Sequence, residues 1–349
     1  MPKRIVLCGG GTAGHVMPNL ALLPYLEKAF DEIHYIGSAD GLEADILKPY
    51  RNVGFHTISC TKLVRSLHPK NLLIPFRLQK SVGEAKRLLR ELAPDVIFSK
   101  GGYVALPVCL AAKGIPLVMH ESDLGLGLAN RLAYGRCDKL LTSFLLDPMP
   151  AKAVHTGAPL RRELYFGRKD AVQKEFPFRD EKPLLLVTGG SQGAVSVNRA
   201  VYGALDDLLK KFNVIHLVGK KNIDGKTRPG YYQLGFTDRM ADLLAAADFV
   251  VSRGGANTLF ELVALKKPAL VIPLGRAQSR GDQIHNAEYF RRRNCVNVLM
   301  SESLTPTALS NALDTLKADA SRLTKGMSEA KHIDGTAKIS QILQDCIRE

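Results

Sequence analysis

Two stretches of this chain are near copies of each other, and their repetition constrains the fold more than any other feature. Residues 95–102 read DVIFSKGG and residues 248–255 read DFVVSRGG. Each half also has an earlier glycine loop directly after an apolar run, in IVLCGGGTAGH (5–15) and LLLVTGGSQGA (184–194). Glycines between a strand and a helix let the backbone approach a phosphate, which the free N–H groups of the helix N-terminus then bind. Two such halves predict an α/β protein with two Rossmann-like, doubly wound parallel-sheet domains facing each other across a cleft.

Alternating strand and helix patterns along both halves indicate βαβ units and set the domain limits. A chain of 349 residues is long enough for two domains, each with its own core. We expect an N-terminal domain over residues 1–160 and a C-terminal domain over 161–335. The polar, charge-rich stretch 161–182 is predicted to be a linker. The last helix, 336–349, is expected to pack back on the first domain.

Composition excludes several classes of protein. The six cysteines form no CxxC pair, so we expect reduced thiols rather than a disulfide framework or a zinc site. No apolar run approaches the ~18 residues that a membrane-spanning helix needs. The net charge of +14 suits phosphate-rich ligands, nucleic acid or an anionic membrane surface. The chain has no zinc-finger or aromatic RNP signature, so we expect no nucleic-acid partner.

The first glycine loop satisfies GxGxxG but does not fit a nicotinamide site. That reading requires an acidic residue at the end of the second strand, whereas this strand ends in Ile36-Gly37-Ser38. His15 stands at the start of the following helix, where an imidazole can take a proton near neutral pH. It could equally cap the helix or bind a phosphate.

The second half carries the stronger candidate for a diphosphate site. The loop 189–193, with Ser191 and Gln192, is predicted to cradle a diphosphate, although a plain strand-to-helix turn is the alternative. Glu261 lies one turn into the helix after the second glycine pair and can accept both hydroxyls of a ribose, or simply favour the helix N-terminus. The polar residues 279–286, including Gln283, either face the same cleft or form a solvated loop.

Acidic residues follow another strand, in HESDLGLGLANR (120–131). Glu121 and Asp123 could bind acceptor hydroxyls, act as acid or base, or only shape the loop. No DxD sequence is present to bridge a metal to a diphosphate. We therefore expect dipoles and basic residues to neutralise the phosphates, with no metal and no cofactor.

An apolar cluster rimmed by cations lies near residue 75. Apolar residues surrounded by lysine and arginine suit docking on an anionic cytoplasmic leaflet, at ~1 kcal/mol per nearby cation. An ordinary amphipathic helix on the sheet is the alternative. The residues predicted to dock are Leu72, Leu73, Ile74, Phe76, Arg77 and Lys80.

Seven motifs in one order, from Lys3 to about residue 345, carry a specific resemblance. They are GGGTAGH, KGGYVALP, HESD…GLANR, TGAPLRRE, GGSQGA…N, SRGGANTLFE and SRGDQIHNA. The chain resembles the bacterial MurG family of glycosyltransferases, in the form found in low-GC Gram-positive bacteria. The resemblance implies a GT-B fold and transfer of GlcNAc from UDP-GlcNAc to the MurNAc 4-hydroxyl of undecaprenyl-diphosphate-MurNAc-pentapeptide (lipid I), forming lipid II. It also implies a peripheral protein on the cytoplasmic side of the cell membrane, with a cell-wall synthesis complex as a candidate partner.

The resemblance also implies the roles of individual residues. His15 is the expected catalytic base of an inverting displacement, with Glu121 as its competitor. The chain departs from the family at Ala13, where glycine is usual, and at Asp123, where many members have asparagine. The donor-binding residues carried over are Thr12, Ala13, Gly14, Asp123, Asn130, Arg161, Ser191, Gln192, Thr237, Ala256, Asn257, Thr258, Leu259, Glu261 and Gln283.

Two other functions remain open from the sequence. The chain could be another GT-B glycolipid glycosyltransferase, which would differ in its acceptor. It could also be a non-catalytic UDP-sugar-binding subunit, although the presence of both halves in one chain argues against this.

Overall fold

A computed structural model describes residues 2–60, 74–178, 181–190, 193–225, 228–276 and 281–347. The chain divides into two compact units. The first comprises Met1–Arg161 together with His332–Glu349, and the second is Arg162–Lys331.

The first unit is built on a parallel sheet. Its strands within the described residues are β1 (Arg4–Cys8), β2 (Glu32–Ser38), β3 (Val53–Ile58), β4 (Val96–Ser99), β5 (Leu117–Glu121), β6 (Lys139–Thr142) and β7 (Ala153–His155). They lie in the order β3-β2-β1-β4-β5-β6-β7, and every pair is parallel. All residues of β4 and β5 are buried. This is expected of parallel strands that have helices on both faces.

Helices cover both faces of this sheet. They are α1 (Ala13–Leu26), α2 (Leu42–Leu47), α3 (Ile74–Leu92), α4 (Ala105–Ala111) and α5 (Leu128–Ala133). Leu22 and Leu26 of α1 are buried in one core cluster, whereas Val108 of α4 and Leu89 of α3 belong to another. Each cluster includes strand residues, so the two cores lie against the same sheet.

The second unit repeats the architecture. Where the structure describes this unit, its strands are β8 (Leu184–Thr188), β9 (Asn213–Leu217), β10 (Tyr231–Leu234), β11 (Phe249–Ser252), β12 (Ala269–Val271) and β13 (Asn297–Val298). They lie in the order β10-β9-β8-β11-β12-β13, and all are parallel. The helices are α6 (Lys169–Glu175), α7 (Val195–Lys211), α8 (Met240–Ala246), α9 (Ala256–Ala264), α10 (Asp282–Arg291) and α11 (Pro306–Glu329).

The stretch 161–182 is not the extended linker that its polar composition predicts. A short 3-10 helix (Arg162–Phe166) and α6 lie within it, and both pack against α8. Leu164 and Val172 are buried there. The prediction of a linker with few contacts is therefore wrong, because two buried apolar side chains dock this charged segment on the second unit.

The chain returns to the first unit through its last helix, α12 (Thr336–Asp345). Ile339 and Leu343 join the core cluster that contains Leu22 and Leu26 of α1. Thr336 connects the start of α12 to the end of the N-terminal segment, because its hydroxyl accepts a hydrogen bond from the Leu160 amide at 2.8 Å. Across the described part of the chain, no helix has the length and apolar character that crossing a bilayer requires.

Candidate active site

The strand order of each sheet identifies one position for a ligand. In the first unit, successive strands are added in opposite directions on either side of the β1–β4 pair. In the second unit, the same reversal occurs at the β8–β11 pair. Ligands of doubly wound sheets bind beyond the carboxyl ends of such strands, at the switch point. The glycine loops follow β1 and β8, and the repeated glycine pairs follow β4 and β11. Each unit therefore brings its two glycine-rich segments to the same edge.

A buried carboxylate holds the first glycine loop. Glu43, fully buried in α2, accepts hydrogen bonds from the Ser38 amide (2.9 Å), the Ser38 hydroxyl (2.7 Å) and the Gly11 amide (3.4 Å). Gly11 has a φ of 83°, and a Cβ there would lie 2.3 Å from Cε1 of Tyr103. Sequence reasoning missed Glu43, because its burial depends on the fold of the loops around it.

His15 lies in the first turn of α1, directly after this loop. Its Nδ1 is 3.0 Å from the hydroxyl of Thr12, the residue that precedes the helix. Burial and the charge of Lys100 lower the pKa of His15 to about 4, although a hydrogen bond to the Gly10 carbonyl and the Glu43 charge oppose this. The imidazole is therefore neutral at pH 7, and the neighbouring Thr12 and Gly14 are exposed.

Glu121 ends β5 and organises the loop that follows. The Asp123 amide donates to Oε1 at 3.2 Å, while the Gly127 amide and the Asn130 side chain donate to Oε2 at 2.8 and 2.9 Å. The side chain is only 6% exposed, and burial raises the pKa of its carboxyl. Both oxygens are thus engaged within the loop. Asn130, also a predicted donor contact, is buried beside the carboxylate.

The basic residue of each repeated motif is a buried cation, which the sequence alone did not indicate. Lys100 is 2% exposed, and its ammonium donates to Ser122 Oγ at 2.7 Å and to Nδ1 of His120. Arg253 donates to the Ile272 carbonyl at 3.1 Å and to the hydroxyls of two serines at 2.8 and 3.1 Å. Both residues stand directly before the glycine pair of the repeated motif, and this shared position is the sequence signal that could have predicted equivalent roles for them.

The described glycines of the second glycine loop lie directly before α7. Gly190 and Gly193 have φ values of 87° and 75°, and the Gly193 amide donates to the Gly190 carbonyl at 3.0 Å. A Cβ at Gly193 would lie 2.1 Å from the Val218 carbonyl oxygen. The helix begins at Val195, and no side chain among the described residues caps its N-terminus. First-turn N–H groups without an intrahelical partner are suited to an anion.

The predicted donor residues on α9 follow the glycine pair. Gly255 precedes the helix in an extended conformation, without a side-chain cap, and Ala256 and Leu259 are buried. Asn257, Thr258 and Glu261 are half-buried. The polar side chains at the start of α9 are thus partly accessible to solvent, while its apolar side chains pack in the core.

Gln283 connects α10 to the same edge. Its side-chain oxygen accepts a hydrogen bond from the Leu274 amide at 3.0 Å, in the loop that follows β12. Its backbone lies so close to Gly254 that a Cβ on that glycine would be 2.6 Å from the Gln283 carbonyl oxygen.

The remaining predicted residues are dispersed. Thr237 precedes α8 and accepts a hydrogen bond from the Arg239 amide at 2.9 Å, and Arg161 is the last residue of the first unit before the chain crosses. The other predicted site residues, Ser191, Gln192, Leu72 and Leu73, lie outside the described residues.

The basic helix α3 presents its cations to solvent. Phe76 is 72% exposed, and Arg77 and Lys80 are exposed beside it. Five basic residues against two acidic ones give the helix a net charge of +3. Its buried side comprises Ser81, Ala85 and Leu89. The first turns of α3 thus carry an exposed aromatic side chain among exposed cations.

Family models and solved structures agree with this architecture. The N-terminal domain of glycosyltransferase family 28 matches residues 5–142, and its C-terminal domain matches residues 184–343. The crystal structure of Acinetobacter baumannii MurG superposes with a TM-score of 0.77 at 24% identity, covering 99% of this chain and 100% of that one. The calicheamicin glycosyltransferase CalG4 gives 0.72 at 15% identity, covering 99% and 98%. These likenesses confirm the predicted GT-B fold.

Curated relatives match over nearly the whole chain. A protein of Lachnospira eligens is 44% identical over 351 residues, which is 98% of this chain and 99% of the relative. A protein of Clostridium botulinum strain Langeland is 43% identical over 350 residues, with the same coverage. Both are named UDP-N-acetylglucosamine–N-acetylmuramyl-(pentapeptide) pyrophosphoryl-undecaprenol N-acetylglucosamine transferase. The chain therefore belongs to glycosyltransferase family 28 and, within it, to the MurG family of N-acetylglucosamine transferases.

Proposed function

We propose that this protein transfers GlcNAc from UDP-GlcNAc to the MurNAc 4-hydroxyl of lipid I, forming lipid II with inversion at the anomeric carbon. The observation that carries the proposal is the pairing of glycine-rich segments with helix N-termini at both switch points. The names of relatives that are 43–44% identical over nearly full length support the choice of donor and acceptor.

The second unit is the proposed donor site. The diphosphate of UDP would lie against the first turns of α7 and α9, where a negative charge is stabilised by about 0.3–1 kcal/mol per helix. Glu261 would accept the two ribose hydroxyls. Arg253 adds a positive charge behind these turns, since it donates to Ser196 of α7 at 2.8 Å. We propose that these groups neutralise the leaving UDP without a metal.

His15 is the proposed base in the first unit. In the tautomer that donates its Nδ1 proton to the Thr12 hydroxyl, the imidazole has its lone pair on Nε2. The acceptor oxygen forms a bond to the anomeric carbon while the bond from that carbon to the UDP oxygen breaks. Nε2 takes the hydroxyl proton, and UDP leaves with the bonding electrons. Helix N-termini near the phosphates stabilise the charge that develops there.

Glu121 is better suited to positioning than to proton transfer. Its two oxygens already accept three hydrogen bonds from residues 123–130. Leaving these donors unpaired inside the protein would cost about 1–3 kcal/mol each. We propose that Glu121 holds this loop, including Asp123, in the shape that receives the acceptor sugar.

The direct test is transfer by the purified chain alone. We expect UDP release from UDP-GlcNAc and a lipid I analogue, with a disaccharide product in the β configuration, in the presence or absence of EDTA. Loss of UDP release when EDTA is added would contradict a donor site that works without a metal. UDP-GlcNAc binding without any transfer would instead support a binding subunit.

We also propose that α3 docks the protein on an anionic membrane surface, where lipid I resides. Exposed Phe76 can enter the interface, while Arg77 and Lys80 contribute ~1 kcal/mol each near anionic lipids. Lys80 remains available to lipid, because its contact with Glu84 is long (3.9 Å) and exposed.

Charge reversal on α3 tests the docking. We expect Arg77→Glu with Lys80→Glu to reduce binding to phosphatidylglycerol-containing vesicles by about tenfold or more, because reversal removes attraction and adds repulsion. Wild-type binding should weaken as salt increases. The matched control reverses Lys317 and Lys325 on α11, where Lys325 has Glu329 at 4.0 Å. Equal loss in both variants, or salt-independent binding, would argue against docking through α3.

A further inference from the structure

The lysine of the repeated motif has no role in the mechanism proposed above, yet its position is unusual. Lys100 follows β4 directly and is buried at the switch point of the first unit. A buried ammonium is costly unless it is well bonded. An apolar side chain could fill the same space without this cost. The buried ammonium of Lys100 is therefore a candidate for an electrostatic role.

Lys100 and His15 lie on either side of one glycine. A Cβ added to Gly9 would be 3.0 Å from both the Lys100 Cβ and the His15 carbonyl oxygen. Two residues after the lysine, a Cβ at Gly102 would be 3.3 Å from Nδ1 of His15. The segment that carries the ammonium is thus packed directly against the imidazole.

The ammonium is fixed by the loop after β5. It donates to Nδ1 of His120 and, at 2.7 Å, to the hydroxyl of Ser122. His120 is itself neutral, since burial and the charge of Lys100 hold its pKa well below the ordinary value. The nearby charges of Glu121 and Asp123 favour the ammonium, while burial opposes it. Lys100 therefore joins the base-bearing helix to the proposed acceptor loop.

We infer that Lys100 is a positioning residue for the proposed transfer: its buried ammonium keeps the imidazole of His15 uncharged and ready to accept a proton. This inference rests on the proposed function, because it assigns Lys100 a task only if His15 is the base.

The order of the two titrations supports this role. Burial lowers the pKa of Lys100, whereas burial and the charge of Lys100 lower that of His15 to about 4. The lysine therefore takes up its proton at a higher pH than the imidazole does. The charge on the lysine opposes protonation of His15 in the range where an ordinary histidine would titrate. Glu43, from α2, acts in the opposite direction on the imidazole.

Neutral replacements of the lysine test the inference without depending on catalysis. In protein labelled with ¹³C at the histidine rings, we expect the titration midpoint of His15 to rise by about one pH unit in both Lys100→Gln and Lys100→Met. His15→Asn identifies the resonance by its loss. Glutamine can still donate hydrogen bonds to His120 and Ser122, so Lys100→Gln removes the charge but keeps hydrogen bonding. It also keeps the test possible if Lys100→Met fails to fold. Lys113→Gln, an exposed lysine after α4, is the matched control.

The kinetic counterpart is the acid limb of kcat/KM for the acceptor. We expect this limb to move to higher pH by the same amount in the Lys100 variants, while the Lys113 control retains the wild-type profile. A His15 midpoint that stays at the wild-type value in Lys100→Gln overturns the inference, whether or not transfer is observed. If the wild-type protein shows no transfer but the His15 midpoint still shifts in the Lys100 variants, the proposed function is contradicted. The electrostatic coupling between Lys100 and His15 is then still supported.

Discussion

Replacing His15 by alanine is expected to lower kcat by ~10²–10⁴-fold, the usual contribution of a general base. The imidazole lies after the first glycine loop, and its low pKa keeps it unprotonated at neutral pH. Donor binding should change little, because the contacts proposed for the diphosphate and the ribose of UDP lie in the second unit. The measurement is steady-state transfer to a lipid I analogue, together with the affinity for UDP-GlcNAc. Turnover within about tenfold of the wild-type rate would show that another group takes the proton.

A matched histidine controls for general effects of the substitution. His56, on β3, is half-buried, and burial lowers its pKa as well. Its ring nitrogen lies 3.2 Å from Nδ1 of His34, away from the glycine loop. We expect His56→Ala to keep near-wild-type turnover. Equal losses in the two variants would indicate destabilisation rather than the loss of a base.

The strongly patterned parts of the fold were predictable from sequence. Short apolar runs that precede glycines, such as residues 5–8 of β1 and those of β11, are buried strands, and their shortness and flanking glycines distinguish them from the helices between them. The repeated motif also indicated that the two halves share one architecture, with a glycine-rich segment after a strand in each. The prediction of two doubly wound sheets is therefore confirmed.

Short or edge elements were missed for a physical reason. Strands β7, β10 and β13 have two to four residues and are mostly half-buried, so their patterns are too short to show a period. Helix α6 has one buried residue, Val172, in a charged segment, which explains why the sequence pattern predicts a linker there. In both cases, tertiary contacts rather than local patterning decide the structure.

The sequence predicts a candidate site at the carboxyl ends of the strands, but it does not predict the hydrogen bonds within that site. Glycine loops and the acidic residues after β5 indicated the edge where the polar groups meet. The burial of Glu43 and Lys100 depends on contacts between segments that are far apart in the chain, and a single sequence does not record them. Likewise, Glu121 could be placed near the site, but only the structure shows that its oxygens are engaged with its own loop.

Gly193→Ala is expected to weaken both the second unit and its affinity for UDP. The residue adopts a left-handed φ of 75°, and the new Cβ would lie 2.1 Å from the Val218 carbonyl oxygen. That oxygen cannot easily move, because the side chains of Asn198 and Asn222 donate to it at 2.9 and 2.8 Å. We expect the free energy of unfolding to fall by roughly 2–5 kcal/mol, from backbone strain plus overpacking.

The displaced loop should also bind the diphosphate less well. We expect the affinity for UDP, measured by calorimetry, to fall by about tenfold or more, which corresponds to a loss of about 1.4 kcal/mol. Gly190→Ala is the matched control, because its φ is 87° but a Cβ there would meet no atom of the described residues within 4 Å. That variant should show only the left-handed strain of about 1–2 kcal/mol. If both variants bind UDP equally well, the tight turn into α7 is not what shapes the donor site. If only Gly193→Ala loses affinity, the close approach of the loop to Val218 sets the position of the amides that receive the diphosphate.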